Sequence, residues 1–400
     1  MGNTLRIDLT DQRSGGRFSR LELIPWWDQK RLLAAKVLVV GAGALGNEIV
    51  KNLALLGVGN VFIADLDTIE DSNLSRSVLF READNGQKKA EVAARSARGI
   101  FPEMNIQWFH GNIVHDLGLG VYRWADITLA GLDNREARLA INRSCYRVGR
   151  PWIDGAIEQI DGVARMFVPP EGACYECTMS ELDWKLLEMR RSCNLLTREE
   201  MQAGKVPTTP TIASVIAGVE VQEAVKYLHG CPTLAGRGYV FNGTTSDSYL
   251  VEYVRKEECY SHETYEPITQ LDSGVGGMTL GELLSRGKSE LGSDAVVEFN
   301  SDVLHKLECR KCGTEETLFL SLGKVTERMG RCPRCKEMRN VVALHGISGG
   351  EDFLDRTFGD VGVPPFDILT ARSGTNQVFF EFTGDAPAVL GELARGPEVP

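Results

Sequence analysis

Three glycines with the spacing of a nucleotide-binding loop follow a short apolar run near the start of the chain. The sequence K-V-L-V-V-G-A-G-A-L-G-N-E begins at Lys36. It places Gly41, Gly43 and Gly46 where a strand would turn into a helix. The first glycine allows a tight turn, the second lets the backbone approach a diphosphate, and the third packs helix on strand. Because the N–H groups of a helix N-terminus can donate to an anion, this stretch predicts a phosphate-binding loop.

A dense polar segment after the second predicted strand, 61–64, narrows the choice of nucleotide. It reads D-L-D-T-I-E-D-S-N-L-S-R from Asp65 to Arg76, and N-G-Q-K-K then ends at Lys89. Asp65 has close to the spacing at which an acidic residue binds ribose hydroxyls. A dehydrogenase does not need the remaining polar run, whereas a nucleoside triphosphate brings charge that Arg76 and Lys89 can neutralise. The sequence contains no G-x-x-x-x-G-K-[ST] motif, so ATP bound in a non-Walker site is predicted.

These motifs resemble those of the ubiquitin-activating-enzyme superfamily, which includes the thiamine- and molybdopterin-pathway adenylyltransferases ThiF and MoeB. The resemblance covers residues 17–262. It implies ATP and Mg²⁺ as cofactors, Asp65 on the ribose, and Arg76 and Lys89 on the triphosphate. It also implies an asparagine near the phosphates and an aspartate associated with magnesium. The implied cofactor-binding residues are Gly41, Gly43, Gly46, Asp65, Asp67, Asn73, Arg76, Lys89 and Asp133.

Three of these assignments have alternatives. Lys88 is a rival for Lys89, which is preferred because the family motif places lysine three residues after the glycine. Asp67 could merely solvate its loop. Asp133 could be the N-cap of a predicted helix over 135–148, and this role is compatible with binding magnesium.

The motif R-F-S-R at residues 17–20 bears on oligomeric state. In the family, the second arginine of such a motif reaches into the ATP site of the partner subunit, which makes Arg20 a candidate catalytic residue and implies a homodimer. Arg17 could fill this role equally well, and an ordinary surface arginine is the alternative for both.

Ten cysteines, six of them in three C-x-x-C pairs, favour metal binding over a disulfide framework. Four of them have the C-x₂-C-x₁₉-C-x₂-C spacing of a four-thiolate zinc ribbon, namely Cys309, Cys312, Cys332 and Cys335. The ribbon is also rich in basic residues, which could meet an acidic partner or simply face solvent. They are Arg310, Lys311, Arg328, Arg331, Arg334, Lys336 and Arg339.

The third pair, Cys174 and Cys177, needs two further ligands for a second zinc site. The family closes this site with another C-x-x-C at the end of the adenylation domain, where this chain has E-C-Y-S-H. We therefore expect Cys259 and His262 to complete a Cys₃His site, because imidazole replaces thiolate readily on tetrahedral zinc. Cys231 or Cys193 as the fourth ligand, or an empty site, are the alternatives.

Cys193 lies in R-R-S-C-N, within the crossover loop 178–206 where thioester-forming family members carry their nucleophile. The neighbouring Arg190 and Arg191 favour the thiolate, which is the reactive form. Cys193 is therefore a candidate catalytic residue, with an inert loop thiol as the alternative. A related subgroup places its cysteine nearer the P-T-T motif at 207–209, where this chain has none.

Alternating strand and helix patterns predict how these residues are positioned. They indicate an α/β fold with a Rossmann-like, doubly wound, mostly parallel sheet. The predicted order is a flexible tail (1–16), the adenylation domain (17–262), a linker (263–277), an α+β domain (278–390) containing the zinc ribbon 309–335, and a second flexible tail (391–400).

Composition excludes some classes of partner. A formal charge of -11 argues against nucleic acid as the main ligand. No apolar stretch is long enough to cross a membrane, and the first 16 residues lack the apolar core of a signal peptide. The chain is therefore expected to be a soluble, cytoplasmic protein.

The favoured function is an activating enzyme that adenylates the C-terminal carboxylate of a ubiquitin-like protein, forms a thioester on Cys193 and passes the acyl group to a conjugating enzyme. The first alternative is a ThiF- or MoeB-like adenylyltransferase that activates a β-grasp sulfur-carrier protein for thiocarboxylate formation. The second is a non-catalytic partner subunit, which would require broken ATP motifs.

Overall fold

Two β-sheets organise the chain in the computed structural model, which describes residues 15–185 and 207–395. Cys193, most of the crossover loop and nearly all of the predicted N-terminal tail lie outside the described residues.

The first sheet has eight strands in the order β3-β2-β1-β4-β5-β6-β7-β8. The first five in sequence are parallel, and β6, β7 and β8 are antiparallel to their neighbours. This arrangement confirms the predicted doubly wound, mostly parallel sheet. The strands are β1 (Lys36–Val40), β2 (Asn60–Asp65), β3 (Asn105–His110), β4 (Ile127–Gly131), β5 (Trp152–Glu158), β6 (Asp161–Phe167), β7 (Arg237–Asn242) and β8 (Asp247–Glu252).

Helices cover both faces of this sheet, because its central strands are apolar on both sides. Val37 and Val39 of β1 point into one core, and Leu38 and Val40 point into the other. The helices are α1 (Gln29–Ala34), α2 (Ala44–Leu56), α3 (Lys89–Ile100), α4 (Leu119–Trp124), α5 (Arg135–Arg147), α6 (Tyr175–Thr178) and α7 (Pro210–Leu228). Helices α2, α3 and α7 contribute to the first core, and α4 and α5 contribute to the second. Within the described part of the chain, no helix meets the length and apolarity needed to cross a bilayer.

The second sheet has six strands, in the order β11-β10-β13-β14-β9, with β12 also paired to β10. They are β9 (Ile268–Leu271), β10 (Val296–Glu308), β11 (Glu315–Ser321), β12 (Asn340–Ile347), β13 (Ile368–Ser373) and β14 (Asn376–Phe382). Helix α8 (Leu280–Leu291) starts at a Thr279–Glu282 capping box and buries its leucines against this sheet. The remaining helices are short: α9 (Glu327–Gly330) and α10 (Ala386–Leu390).

Two predicted boundaries are wrong. The supposed linker 263–277 contains β9, which pairs in parallel with β14. The supposed tail beginning at residue 391 continues as a 3₁₀ helix, Gly391–Arg395, whose Leu393 is only 3% exposed. Both segments are too short and too mixed in composition to show a periodic pattern, and their order comes from packing against distant residues.

The two sheets are joined by a tight interface at α4. The N–H of Gly120 donates to Phe366 O over 2.9 Å, and the N–H of Leu119 donates to Asp367 Oδ1 over 2.9 Å. A Cβ added at Gly120 would lie 2.5 Å from Phe366 O, so only glycine permits this approach. Arg123 and the buried Glu381 add an ion pair across the same interface. The second domain is thus packed on the first and shares its core.

Candidate functional site

The glycine loop contains two glycines that the fold requires and one that it does not. Gly41 has a φ of +93°, and a Cβ added at Gly46 would lie 1.8 Å from Gly41 O. Gly43 has an ordinary φ of -76°, and a Cβ there would meet no atom within 4 Å. Its missing side chain therefore leaves space above the loop that protein atoms do not fill, as a phosphate cradle needs.

Helix α2 begins directly above this space without a side-chain cap at Gly43. Asn47, which is fully buried, shapes the loop from below: its amide donates to Ala42 O over 2.7 Å and to Gly43 O over 3.0 Å. Its Oδ1 accepts from the N–H of Leu79, which ties the loop to the polar segment. This role of Asn47 was not predicted from the sequence. The available signal was an amide in the first turn of an otherwise apolar helix.

Asp65 lies at the end of β2 beside the glycine loop. Its Oδ2 accepts from Ala42 N and its Oδ1 from Asp67 N, both over 2.7 Å. Burial raises the pKa of Asp65 above its ordinary value, while Lys89 and the two N–H donors oppose that rise. The carboxylate oxygens each keep a further lone pair with which to accept from a ribose hydroxyl.

Lys89, not Lys88, faces the loop that carries Asp67. Lys89 is 9% exposed at the start of α3, and its Nζ lies 2.8 Å from Asp67 Oδ2. Lys88 is exposed and its Nζ lies 5.1 Å from the ring centroid of Trp108. Asp67 therefore pairs with Lys89 rather than only solvating the loop.

Asn73 and Arg76 lie in the same polar segment. The buried Asn73 accepts from the N–H of Glu70 and forms the 3₁₀ turn Asp71–Asn73. Arg76 is half-buried and donates to Ser72 O over 2.6 Å. Within the described ranges its guanidinium has no carboxylate partner, so its remaining donors are available to an anion.

Asp133 is exposed just after the carboxyl end of β4. The predicted N-cap role is wrong for this residue, because Asn134 caps α5 by accepting from Ala137 N over 2.8 Å. Asp133 therefore does not cap α5. It lies at the edge where open α/β sheets bind ligands.

A buried charge cluster beneath Asp133 was not predicted. Arg138 donates to Asp154 Oδ1 over 2.7 Å and also to Leu132 O, and so holds the turn that carries Asp133. Burial alone would raise the pKa of Asp154, but Arg138 and Arg165 hold it below its ordinary value. Nearby Glu220 is 0% exposed and unpaired among the described residues, and burial raises its pKa well above the usual range.

The two arginines of the R-F-S-R motif differ in surroundings. Arg17 donates to Ile100 O over 2.7 Å and lies over the Phe101 ring. Arg20 is exposed, and among the described residues it makes no hydrogen bond or ion pair. Of the two arginines, Arg20 is thus the one that the described part of its own chain leaves available.

The four residues expected to form the first metal site come together. Cys174 Sγ lies 3.7 Å from Cys177 Sγ and 3.5 Å from Cys259 Sγ, and Cys177 Sγ lies 3.4 Å from His262 Nε2. All four ligand atoms lie within 4.8 Å of one another. Cys231 and Cys193 were the alternatives for the fourth ligand. Of these, Cys231 lies within the described residues, and it is not part of this cluster.

The four ribbon cysteines form a second cluster with the same spread of ligand atoms. Cys309 Sγ lies 3.4 Å from Cys335 Sγ, and Cys312 Sγ lies 3.5 Å from Cys332 Sγ. Tetrahedral zinc with bonds of about 2.3 Å places sulfur atoms about 3.8 Å apart, so both donor sets fit this ion in type and spacing.

Three cysteines lie outside the two clusters: Cys145 and Cys231, which are described, and Cys193, which is not. Cys145 is fully buried beside Thr128, and burial raises its pKa to about 12, which suits an inert, small hydrophobic residue. Cys193 lies outside the described residues, so its role as nucleophile stays a prediction.

A protein-family model described as the ThiF family matches residues 17–261, more than half of the chain. The chain belongs to the ThiF family. This membership confirms the resemblance inferred from the glycine loop and the polar segment.

Curated relatives of this ThiF-family chain include three activating enzymes. The chain is 36% identical over 162 residues to the NEDD8-activating enzyme E1 catalytic subunit of Schizosaccharomyces pombe, covering 39% of this chain and 36% of that protein. It is 36% identical to the SUMO-activating enzyme subunit uba-2 of Caenorhabditis elegans, over 38% of this chain and 27% of that one. It is 35% identical to the SAMP-activating enzyme E1 of Haloferax volcanii, over 44% and 66% respectively. The chain therefore spans 36% and 27% of the first two relatives and 66% of the third.

Solved structures show the same fold. E. coli MccB crystallised with ATP is similar with a TM-score of 0.53 and 24% identity, covering 63% of this chain and 75% of that one. MccB in complex with N-formylated MccA gives a TM-score of 0.52 at 24% identity, covering 62% and 75%. At these identities the likeness bears on the fold alone.

Proposed function

We propose that this protein adenylates the C-terminal carboxylate of a ubiquitin-like protein with ATP. The observation that carries the proposal is the convergence of the open glycine loop, Asp65 and the Lys89–Asp67 pair at one edge of the sheet. The activating enzymes among its relatives support this choice of substrate. We propose that residues 17–262 carry out the reaction and that the second domain recruits a partner protein.

In the proposed reaction, a carboxylate oxygen of the partner attacks the α-phosphorus of ATP. A bond forms between that oxygen and phosphorus, the bond to the bridging oxygen breaks, and pyrophosphate leaves. Both reactants are anions, so the site must supply positive charge and orient an in-line displacement. The ammonium of Lys89 and the guanidinium of Arg76 offset the charge of the phosphates. Asp65 holds the ribose.

Asp133 is the proposed carboxylate for Mg²⁺, since it is exposed and freed from capping by Asn134. When bound, Mg²⁺ would neutralise phosphate charge. The Arg138–Asp154 pair fixes the turn that presents Asp133.

The acyl adenylate is then proposed to react with the thiolate of Cys193. A carbon–sulfur bond forms, the bond from the acyl carbon to the phosphate oxygen breaks, and AMP leaves. The thioester would pass to a conjugating enzyme. If the partner is instead a sulfur carrier, the acyl adenylate would go to a sulfur donor and Cys193 would be dispensable.

Exchange of pyrophosphate into ATP, in the presence of a candidate β-grasp partner, tests the adenylation step. Replacing the buried Lys89 in Lys89→Ala should slow exchange by about 100- to 1,000-fold, because a preorganised cation would be lost. Lys88→Ala is the matched control, since that side chain lies on Trp108, and it should stay within about twofold. Equal rates in the two variants would refute the proposed site.

The thioester step has its own test. Wild-type protein incubated with ATP and the partner should give an adduct that a reducing agent cleaves, and Cys193→Ser should not. If Cys193→Ser gives the same reducible adduct, Cys193 is not the nucleophile. If neither protein gives an adduct while exchange persists, the sulfur-carrier alternative is favoured.

Arg20 tests the proposed homodimer. Arg20→Ala should slow exchange, while Arg17→Ala, which removes a contact within its own chain, should mainly lower stability. Mixing Arg20→Ala with Lys89→Ala should restore part of the activity, because a mixed dimer would contain one intact site. No recovery on mixing would contradict a contribution in trans.

We also propose that both ligand clusters hold Zn²⁺. The first would join α6 to the end of the adenylation domain, and the second would hold the ribbon together. Metal analysis of the purified full chain should give two equivalents of zinc.

A further inference from the structure

The two halves of the zinc ribbon have the same backbone pattern. In the first, Gly313 N donates to Cys309 O and Cys309 N donates to Thr314 O. In the second, Lys336 N donates to Cys332 O and Cys332 N donates to Glu337 O. Lys336 therefore occupies the position that Gly313 occupies in the first half.

This position requires a left-handed backbone, for which lysine is a poor choice. Gly313 has a φ of +69° and Lys336 a φ of +63°. Glycine adopts such angles without penalty, whereas a side chain with a Cβ is strained there. Lysine at this place is therefore disfavoured by the local fold, and an observed strain of this kind points to a use for the side chain.

Lys336 belongs to a ribbon whose two turns meet where Cys309 Sγ lies 3.4 Å from Cys335 Sγ, and other cations of this ribbon also lack acidic partners. Arg310, Arg328 and Arg334 are exposed, and within the described residues none of them forms an ion pair. The other basic side chains of the ribbon are neutralised locally, Lys311 by Glu337, for example. We call Arg310, Arg328, Arg334 and Lys336 the basic tip.

The charge of this segment opposes that of the chain. Residues 309–339 contain eight lysines and arginines against four glutamates, whereas the whole chain carries -11. Even with the charge of about -2 left by four thiolates on zinc, the segment stays positive. Met338, which is 45% exposed beside the tip, adds an adaptable apolar contact.

We propose that the basic tip is a docking surface for an acidic segment of a partner protein. Unpaired cations and an exposed methionine on the same ribbon supply electrostatic steering together with an apolar contact. The surface does not depend on the nucleotide site, so this proposal can fail without affecting the proposed adenylation.

The test is binding of a fluorescent polyglutamate peptide of about 16 residues to the full chain, at about 50 mM salt where charge effects are large. Arg334→Glu should weaken binding about fivefold, because it reverses one of few unpaired charges. Arg286→Glu is the matched control, since Arg286 is exposed on α8 and has no ion pair in the described structure. It should change binding by less than about twofold. Both variants should retain wild-type zinc content and pyrophosphate exchange.

Lys336→Gly gives a sharper readout. Glycine relieves the strain, so the ribbon should release zinc to a chelator no faster than wild type, yet bind the peptide about twofold more weakly. If Lys336 had only a structural role, Lys336→Gly would not weaken peptide binding while the zinc site remained equally stable.

Two outcomes would overturn the proposal. One is equal peptide binding by Arg334→Glu and Arg286→Glu. The other is a tip-dependent preference for single-stranded DNA of similar charge over the peptide, which would make the tip a nucleic-acid surface.

Discussion

The two ligand clusters of this chain share a donor geometry but differ in what surrounds them. Cys174 and Cys177 meet Cys259 and His262 across more than 80 residues of sequence, inside a core that also contains residues of the second domain. The ribbon cysteines come from two local turns, although in both clusters two of the four ligand residues are buried.

The outer contacts of the clusters differ as well. Glu176, between the first two cysteines, is 5% exposed and accepts from Arg143 over 3.1 Å and from Ser261, which precedes His262. In the ribbon, the nearest side-chain contact is Thr314 Oγ1, 3.1 Å from Cys312 Sγ. The first cluster is thus supported by packing and buried polar contacts, and the second mainly by backbone turns. We infer that metal at the first site would join segments that are already packed in a hydrophobic core. Metal at the second site would hold together a ribbon that has little hydrophobic core of its own.

The largest effect should follow removal of a ribbon ligand. Cys332→Ser should release one of two zinc ions and unfold the ribbon, because zinc binding of this type contributes on the order of 10 kcal/mol. Hydrogen exchange over 309–339 should become fast, while exchange over β1 to β5 is unchanged. Cys231→Ser, outside both clusters, should keep both ions. If the ribbon stays protected from hydrogen exchange without its metal, then it does not depend on zinc for its fold.

The matching change in the first cluster should be milder. Cys174→Ser should also release one zinc ion, but Tyr146, Tyr175 and Met179 still bury the surrounding segments. We expect a stability loss of about 3 kcal/mol, the contribution of a ligand present at a few hundred times its dissociation constant. This loss of stability should appear as a lower midpoint of thermal unfolding. The far-ultraviolet circular dichroism spectrum at room temperature should be unchanged. Global unfolding would show that this site, too, depends on metal for its fold.

Removing an outer contact should have a smaller effect. Glu176→Gln should weaken zinc binding at the first site about tenfold, because Arg143 and Ser261 lose their charged acceptor. Thr314→Val at the ribbon should weaken zinc binding by less than about threefold, since the backbone N–H of residue 314 still donates to Cys312. Competition with a chelator measures both. The reverse order would mean that the ribbon is the better supported site.

The smallest effect should come from making the two donor sets alike. His262→Cys gives the first cluster four thiolates, and zinc accepts either ligand. Zinc content and pyrophosphate exchange should change by less than about twofold, whereas thiolate-to-metal absorption of the cobalt form should rise by about one third. An unchanged spectrum would place His262 outside the donor set.

Much of the site could be predicted because its signals are local. The glycine spacing, the polar run to Lys89 and the C-x-x-C pairs each lie within a few dozen residues, where spacing reports on turn and ligand geometry. Asn47, the Arg138–Asp154 pair and β9 were missed, because neither a periodic pattern nor a motif spacing marks their partners, which packing selects.

The sequence by itself determined the family, the doubly wound sheet and the four cysteines of the ribbon. For the first cluster it predicted Cys259 and His262 but left alternatives open, and the structure brings these two residues to Cys174 and Cys177. Only the tertiary structure decided that Lys89 rather than Lys88 faces Asp67, that Asn134 rather than Asp133 caps α5, and that the second domain packs on α4. The reason is physical: neighbouring residues of similar type have nearly equal local preferences. Burial, charge pairing and close backbone approach then select one of them.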